Sequence, residues 1–215
     1  MDLRDQTFGV EIETVRKSRR EVAYAIHSVV GGTVTHVGTP ACYDPWHVTD
    51  LRGRTWKVMA DASLTNVPRN LQAELVTPIL RYEDIPQLQE VVRAVRRAGA
   101  RVDERCGLHV HVNGAPFDGR KLANLAKMVY KQEPLILHAL GVSAARQRQY
   151  TRPLDDDFIR RIEEHRPQTI DELNPLWYGY RNNNPTHYCS TRYYGESHVM
   201  LSWRCGGDVL STRVT

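Results

Sequence analysis

Two observations predict an α+β fold, an antiparallel sheet with flanking helices. Segments of period-two hydrophobicity and segments of helical periodicity follow one another in mixed order, and several of the strand segments carry polar residues on one face only. The first is residues 6–13, where Phe8, Val10 and Ile12 alternate with Gly9, Glu11 and Glu13. This is a half-buried strand with two carboxylates on its other face. Ser18 then opens a capping box with Glu21, while Val22, Ile26 and Val29 recur at helical spacing and Gly31 offers a stop, so a helix is expected near 19–30. Residues 55–60 and 72–77 read as two strands. Glu83–Ala98 reads as an amphipathic helix with Pro86 in its first turn, an apolar face of Leu88, Val91, Val92 and Val95, a solvated arginine face and Gly99 at its end. Residues 106–112 alternate again, setting Leu108, Val110 and Val112 opposite His109 and His111. A helix near 119–131 follows, separated by Pro134 from the next; Asp155–Glu164 reads as helix, and Thr169 with Glu172 makes a further capping box. Turn-rich stretches fall at 38–54, 113–119 and 181–187.

The chain has 215 residues, 41% of them hydrophobic and 25% charged, which is enough for one sizeable domain and unlike disordered, collagen-like or coiled-coil sequence. There is no internal repeat and no low-complexity linker. The net charge of +4 comes from scattered basic residues, which suits an anionic small ligand and indicates no specific nucleic-acid partner. Cys42, Cys106, Cys189 and Cys205 are far apart without a Cys-x-x-Cys pair, so neither a zinc ribbon nor a dense disulfide framework is expected, but free thiols. No apolar stretch follows the N-terminus that could serve as a signal or membrane span, and a soluble cytoplasmic protein with no membrane partner is the expectation.

On a strand, Glu11 and Glu13 project to one side with Cα atoms about 6.5–7 Å apart. Such a pair can hold hard divalent cations, though alone it is more often a solvated strand face. His109-x-His111 has the same geometry. Asp61 and Glu74 stand at strand ends in apolar surroundings, where an acid needs water or a partner; Asp61 could equally cap a turn. Four acids and two imidazoles on strand faces that one sheet could gather have the composition of a metal–phosphate site.

The order of these motifs is informative. Phe8-Gly9-Val10-Glu11-Ile12-Glu13, Trp56-Lys57-Val58 leading to Asp61-Ala62-Ser63-Leu64, Glu74-Leu75-Val76-Thr77-Pro78, Gly107-Leu108-His109-Val110-His111-Val112 and Arg192-Tyr193-Tyr194 together resemble the amidoligase family, carboxylate–amine ligases with a glutamine-synthetase-like fold. The resemblance spans residues 8 to about 195. It implies a single amidoligase-like domain that uses ATP and Mg²⁺ or Mn²⁺ to activate a carboxylate as an acyl phosphate, which an amine then displaces to form an amide. The substrates could be small molecules, peptides or polymers. Phosphoryl transfer of this kind needs positioning and neutralisation of charge on phosphate oxygens, supplied by metal and arginine. The resemblance further implies Glu11, Glu13 and Glu74 as metal ligands and His109 and His111 as the histidine strand, one imidazole facing metal or phosphate and the other shaping the pocket. Asp61 and Ser63 match an Asp-Gly-Ser-Leu motif in which Ala62 replaces glycine. Were a positive φ needed there, Ala62 would be strained by about a kcal/mol; a slightly different turn is the alternative. Arg192 matches the arginine before the aromatic pair and suits phosphate, with a structural salt bridge as the other reading. Arg181 and Lys57 are further phosphate candidates, and one of Tyr178, Tyr180, Tyr188, Tyr193 and Tyr194 could stack on adenine. After Gly195 the family's Gly-Thr-Val-Glu-Phe-Arg-type strand is missing, so the part from about 196 is expected to be atypical or truncated. That leaves two alternatives: a catalytically inactive nucleotide- or metal-binding relative, and a metal hydrolase built on His109 and His111.

Overall fold

Strand β1, Phe8–Val15, forms where the alternation is strongest, and it pairs antiparallel with β5, Gln72–Val76, in a register that sets Ile12 opposite Leu75 and Glu13 opposite Glu74. The computed structural model describes residues 2–39, 43–62, 64, 66–139, 142, 144, 154–178, 191–193 and 198–204. These divide into two compact units, with the boundary between Leu108 and His109.

In the first unit the strands run in the order β2 (Thr33–His36), β3 (Trp46–Thr49), β4 (Thr55–Met59), β5, β1, and every neighbouring pair is antiparallel. One face of this sheet is apolar: Ile12, Leu75, Trp56, Val58 and Val48 are all buried. Helix α1, Arg19–Val30, packs on β3, β4 and β5 and against α2, Ile85–Arg97. Its buried Val22 and Ile26 and the buried Val91 and Val95 of α2 complete the core. The α1 capping box forms as the spacing predicts, with the Glu21 amide donating to Ser18 Oγ and the Ser18 amide donating to the Glu21 carboxylate. Lys17 and Ser18 hold that carboxyl down at about 2. At the other end Gly32 is required: its φ is +83°, and a Cβ there would lie 1.8 Å from the Thr49 carbonyl oxygen. The β3–β4 hairpin closes on Asp50. Burial works against its charge, but hydrogen bonds from the Arg54 amide, the Trp56 indole, the Arg54 guanidinium and the Arg52 amide outweigh it and keep its pKa below the ordinary value.

Cys106 is buried in a small cluster with Val15 and Leu64. Burial, helped by the nearby charges of Asp103 and Glu13, pushes its thiol up to about 12. At pH 8 its thiolate fraction is then about 10⁻⁴, so Cys106 should alkylate about a thousandfold more slowly than an ordinary exposed cysteine. Peptide-resolved mass spectrometry of iodoacetamide-treated native protein checks this. Rapid modification of Cys106 before unfolding would contradict the burial.

In the second unit, β6 (Gly107–Asn113, its first two residues in the first unit) leads into α3, Gly119–Ala139. Helices α4, Asp156–His165, and α5, Ile170–Tyr178, pack with α3 around Leu122, Ala126, Val129, Phe158, Ile162, Leu173 and Trp177. Phe158 meets Trp177 edge to face at 4.8 Å. Asp155 caps α4 through the Phe158 amide, and Thr169 and Glu172 cap α5. Strands β7, Thr191–Tyr193, and β8, His198–Arg204, pair antiparallel, and β8 places a strand in the segment expected to be atypical. Among the described residues no helix is long and apolar enough to cross a membrane.

Two expectations are corrected. Pro134 does not end a helix; α3 runs through it to Ala139. Proline forfeits one amide, but Val129 and Leu137 on either side are buried in the core, and the buried Glu133 carboxylate accepts the Leu154 amide at 3.0 Å. Nor is the carboxylate face of β1 solvated along its length, since Glu13 is 0% exposed.

Candidate metal and phosphate site

Antiparallel register decides which predicted residues share a side. Across β1, β5 and β4, one row reads Glu13, Glu74, Met59, and the next reads Glu11, Val76, Lys57, continuing to His47 on β3. Glu11, Glu13, Glu74 and Lys57 therefore stand on the face of the first unit opposite its apolar core. Carboxylate oxygens of Glu13 and Glu74 lie within 4.8 Å of each other. Two carboxylates this close, one of them fully buried, present hard oxygen atoms to a common point between the strands. Glu13 also accepts a 2.6 Å hydrogen bond from the Gly107 amide, at the first residue of β6. This bond fixes one carboxylate oxygen and leaves the direction of the other defined.

Two residues after Gly107 comes His109, 4% exposed, and then His111, partly exposed; both are on β6 as predicted. Their ring nitrogens lie within 4.8 Å of each other, so the pair can serve one ligand atom set. Lys57 is exposed, and His47 across from it is held toward the neutral form by burial and by the Lys57 charge. Asp61 is half-buried two residues beyond Met59. Ala62 is not among the residues with positive φ, so the strain that a positive φ would impose on alanine does not arise. Arg192 is placed by its backbone in β7, opposite Met200. Ser63 and Arg181 lie outside the described residues, as do Tyr180, Tyr188 and Tyr194.

Two contributors escape a sequence reading. The Gly107 amide has no side chain to flag it, and only the register of a distant segment gives it a carboxylate to bind. His47 sits in a turn-rich stretch, where the alternation Trp46-His47-Val48-Thr49 was the available signal.

The family model described as "Putative amidoligase enzyme" matches residues 4–197. The chain belongs to this family. Its amidoligase membership assigns it to ligase-type enzymes and agrees with the motif order from Phe8 to Tyr194. No curated protein and no solved structure matches this amidoligase.

Proposed function

We propose that this amidoligase is an ATP-dependent carboxylate–amine ligase of the glutamine-synthetase-like fold, acting in the cytoplasm. The reading rests on one observation above others: in an amidoligase chain, the fully buried Glu13 faces Glu74 across two neighbouring strands. Glu11, Glu13 and Glu74 share one face of the first unit and offer hard oxygen donors, which suit Mg²⁺ or Mn²⁺; His109 and His111 are the imidazole donors that the family resemblance assigns to the same metal. Held by these residues, a divalent ion would supply neutralisation of the charge that develops on phosphate oxygens.

The remaining roles belong to side chains. Lys57, Arg192, Arg181 and Ser63 would bind nucleotide phosphates, the guanidinium of Arg192 matching a phosphate with two parallel hydrogen bonds. His109 would orient the transferring phosphate as ligand or donor, and His111 would shape the pocket. Asp61 is the carboxylate that would take the proton lost by the attacking amine. In the balanced reaction a substrate carboxylate oxygen bonds to the γ-phosphorus as ADP leaves. The amine nitrogen then bonds to the acyl carbon as inorganic phosphate leaves.

The test is ADP release by the full chain with ATP, Mn²⁺ or Mg²⁺ and a panel of carboxylate–amine pairs. Metal-dependent ADP release that requires both substrates supports the reading. Nucleotide binding without turnover on any pair would instead identify an inactive relative, and turnover of a phosphoester without ATP would identify a hydrolase.

A further inference from the structure

In the second unit a cavity of about 660 Å³ opens between α3 and the C-terminal end of α4. Arg120, Asn124 and Lys127 line one wall, and Glu163, Arg166 and Gln168 line the other. The α3 residues are spaced i, i+4, i+7, so they form one stripe along the helix, and the stripe spans about 10 Å. Three of the six are cations. Among the described residues, two exposed cations on these helices outside the cavity are paired, Arg160 with Asp157 and Glu164 and Lys121 with Asp118, whereas Lys131 is not. Within the described residues no such bridge is made by Arg120, Lys127 or Arg166. Arg166 is moreover held at φ 48°, ψ 57° as the cap of α4, where glycine is the usual occupant. Its Cα is thus fixed at the cavity rim, with its carbonyl engaged by the Gln168 amide group.

We propose that this cavity binds an acidic peptide segment. The three cations would meet carboxylates, and the length of the stripe matches about three residues of extended chain. A peptide is favoured over a phosphate polymer by the other half of the lining. Glu163 can accept a peptide amide, which a polyphosphate does not offer, and Asn124 can both donate to a peptide carbonyl and accept from a peptide amide. The inference does not depend on the ligase reading, since it concerns binding alone.

The experiment is calorimetric titration of the full chain at low ionic strength with N-acetylated, C-amidated tetraglutamate, its tetraglutamine counterpart and inorganic tripolyphosphate. Tetraglutamate should bind, weakening as salt rises, while tetraglutamine should not. The double variant Arg120→Gln, Lys127→Gln should weaken binding at least about tenfold. Arg160→Gln, on the same helix pair but outside the cavity, should leave it unchanged. These are surface positions, and matching melting curves confirm that the variants fold. Unchanged affinity in the double variant, equal loss in Arg160→Gln, no binding of tetraglutamate, or tighter binding of tripolyphosphate than of tetraglutamate would each overturn the proposal.

Discussion

Replacing Glu13 by Gln should weaken Mn²⁺ binding by at least about 100-fold and bring any metal-dependent turnover down with it. The substitution removes one charge and almost no volume. A glutamine oxygen can still accept the Gly107 amide, which Glu13 does at 2.6 Å, so the strand start should stay in place. What goes is the negative charge beside Glu74, in a position that is 0% exposed and opposite Glu74 in register. If the proposed centre is right, metal affinity falls while the fold in the absence of metal is kept, because the Gly107 amide retains its acceptor. Glu13→Ala is the harsher companion: it also strands the Gly107 amide and should cost about 1–3 kcal/mol of stability. Metal binding by calorimetry or by the electron paramagnetic resonance of Mn²⁺, with urea unfolding alongside, separates the two effects. Wild-type Mn²⁺ affinity in Glu13→Gln would remove Glu13 from the ligand set and leave its burial as a packing feature.

How much of this was legible depends on whether the signal was local. The α1 helix was, because a capping box, a 3.6-residue apolar period and a terminal glycine all lie within fifteen residues. So were the polar faces of β1 and β6, since alternation is a property of each strand by itself. The burial of Glu13 was not: it is created by β5 and by the start of β6, segments some sixty and ninety residues away. Strands β2 and β3 were hidden for a similar reason. Thr33–His36 is mostly exposed and becomes a strand by pairing with Trp46–Thr49, itself set among glycine, proline and aspartate residues that read as turns. Pro134 shows tertiary packing overriding a local rule, because the apolar face of α3 continues on both sides of it.

The largest stability effect should come from Arg19, a residue no motif singles out. It lies in the first turn of α1 at 6% exposure and makes four hydrogen bonds: two to Asp44 at 3.0 and 2.6 Å, one to the Arg69 carbonyl at 2.6 Å and one to the Gln72 carbonyl at 3.0 Å. One guanidinium thus ties α1 to the loop before β3 and to the start of β5. Asp44 is presented to it by a left-handed backbone, φ 46°, and also receives His36, whose ring stacks on Trp46. Arg19→Met keeps the apolar stem but leaves a carboxylate with little exposure and two carbonyls without their donor, and should cost about 3–5 kcal/mol. The pH dependence distinguishes this from lost packing. Burial by itself would raise the Asp44 pKa, but the hydrogen bonds and charge of Arg19, with the contact to His36, outweigh it and hold the carboxyl below its ordinary value. A folded-state pKa lowered in this way stabilises the protein above the unfolded value, and that contribution is lost as pH falls through the folded one. The gap between wild type and Arg19→Met, measured by urea unfolding, should therefore be full at neutral pH and narrow below about pH 4 as Asp44 is protonated in both. A gap that stays constant through the acid range would mean that Arg19 acts by packing rather than by charge.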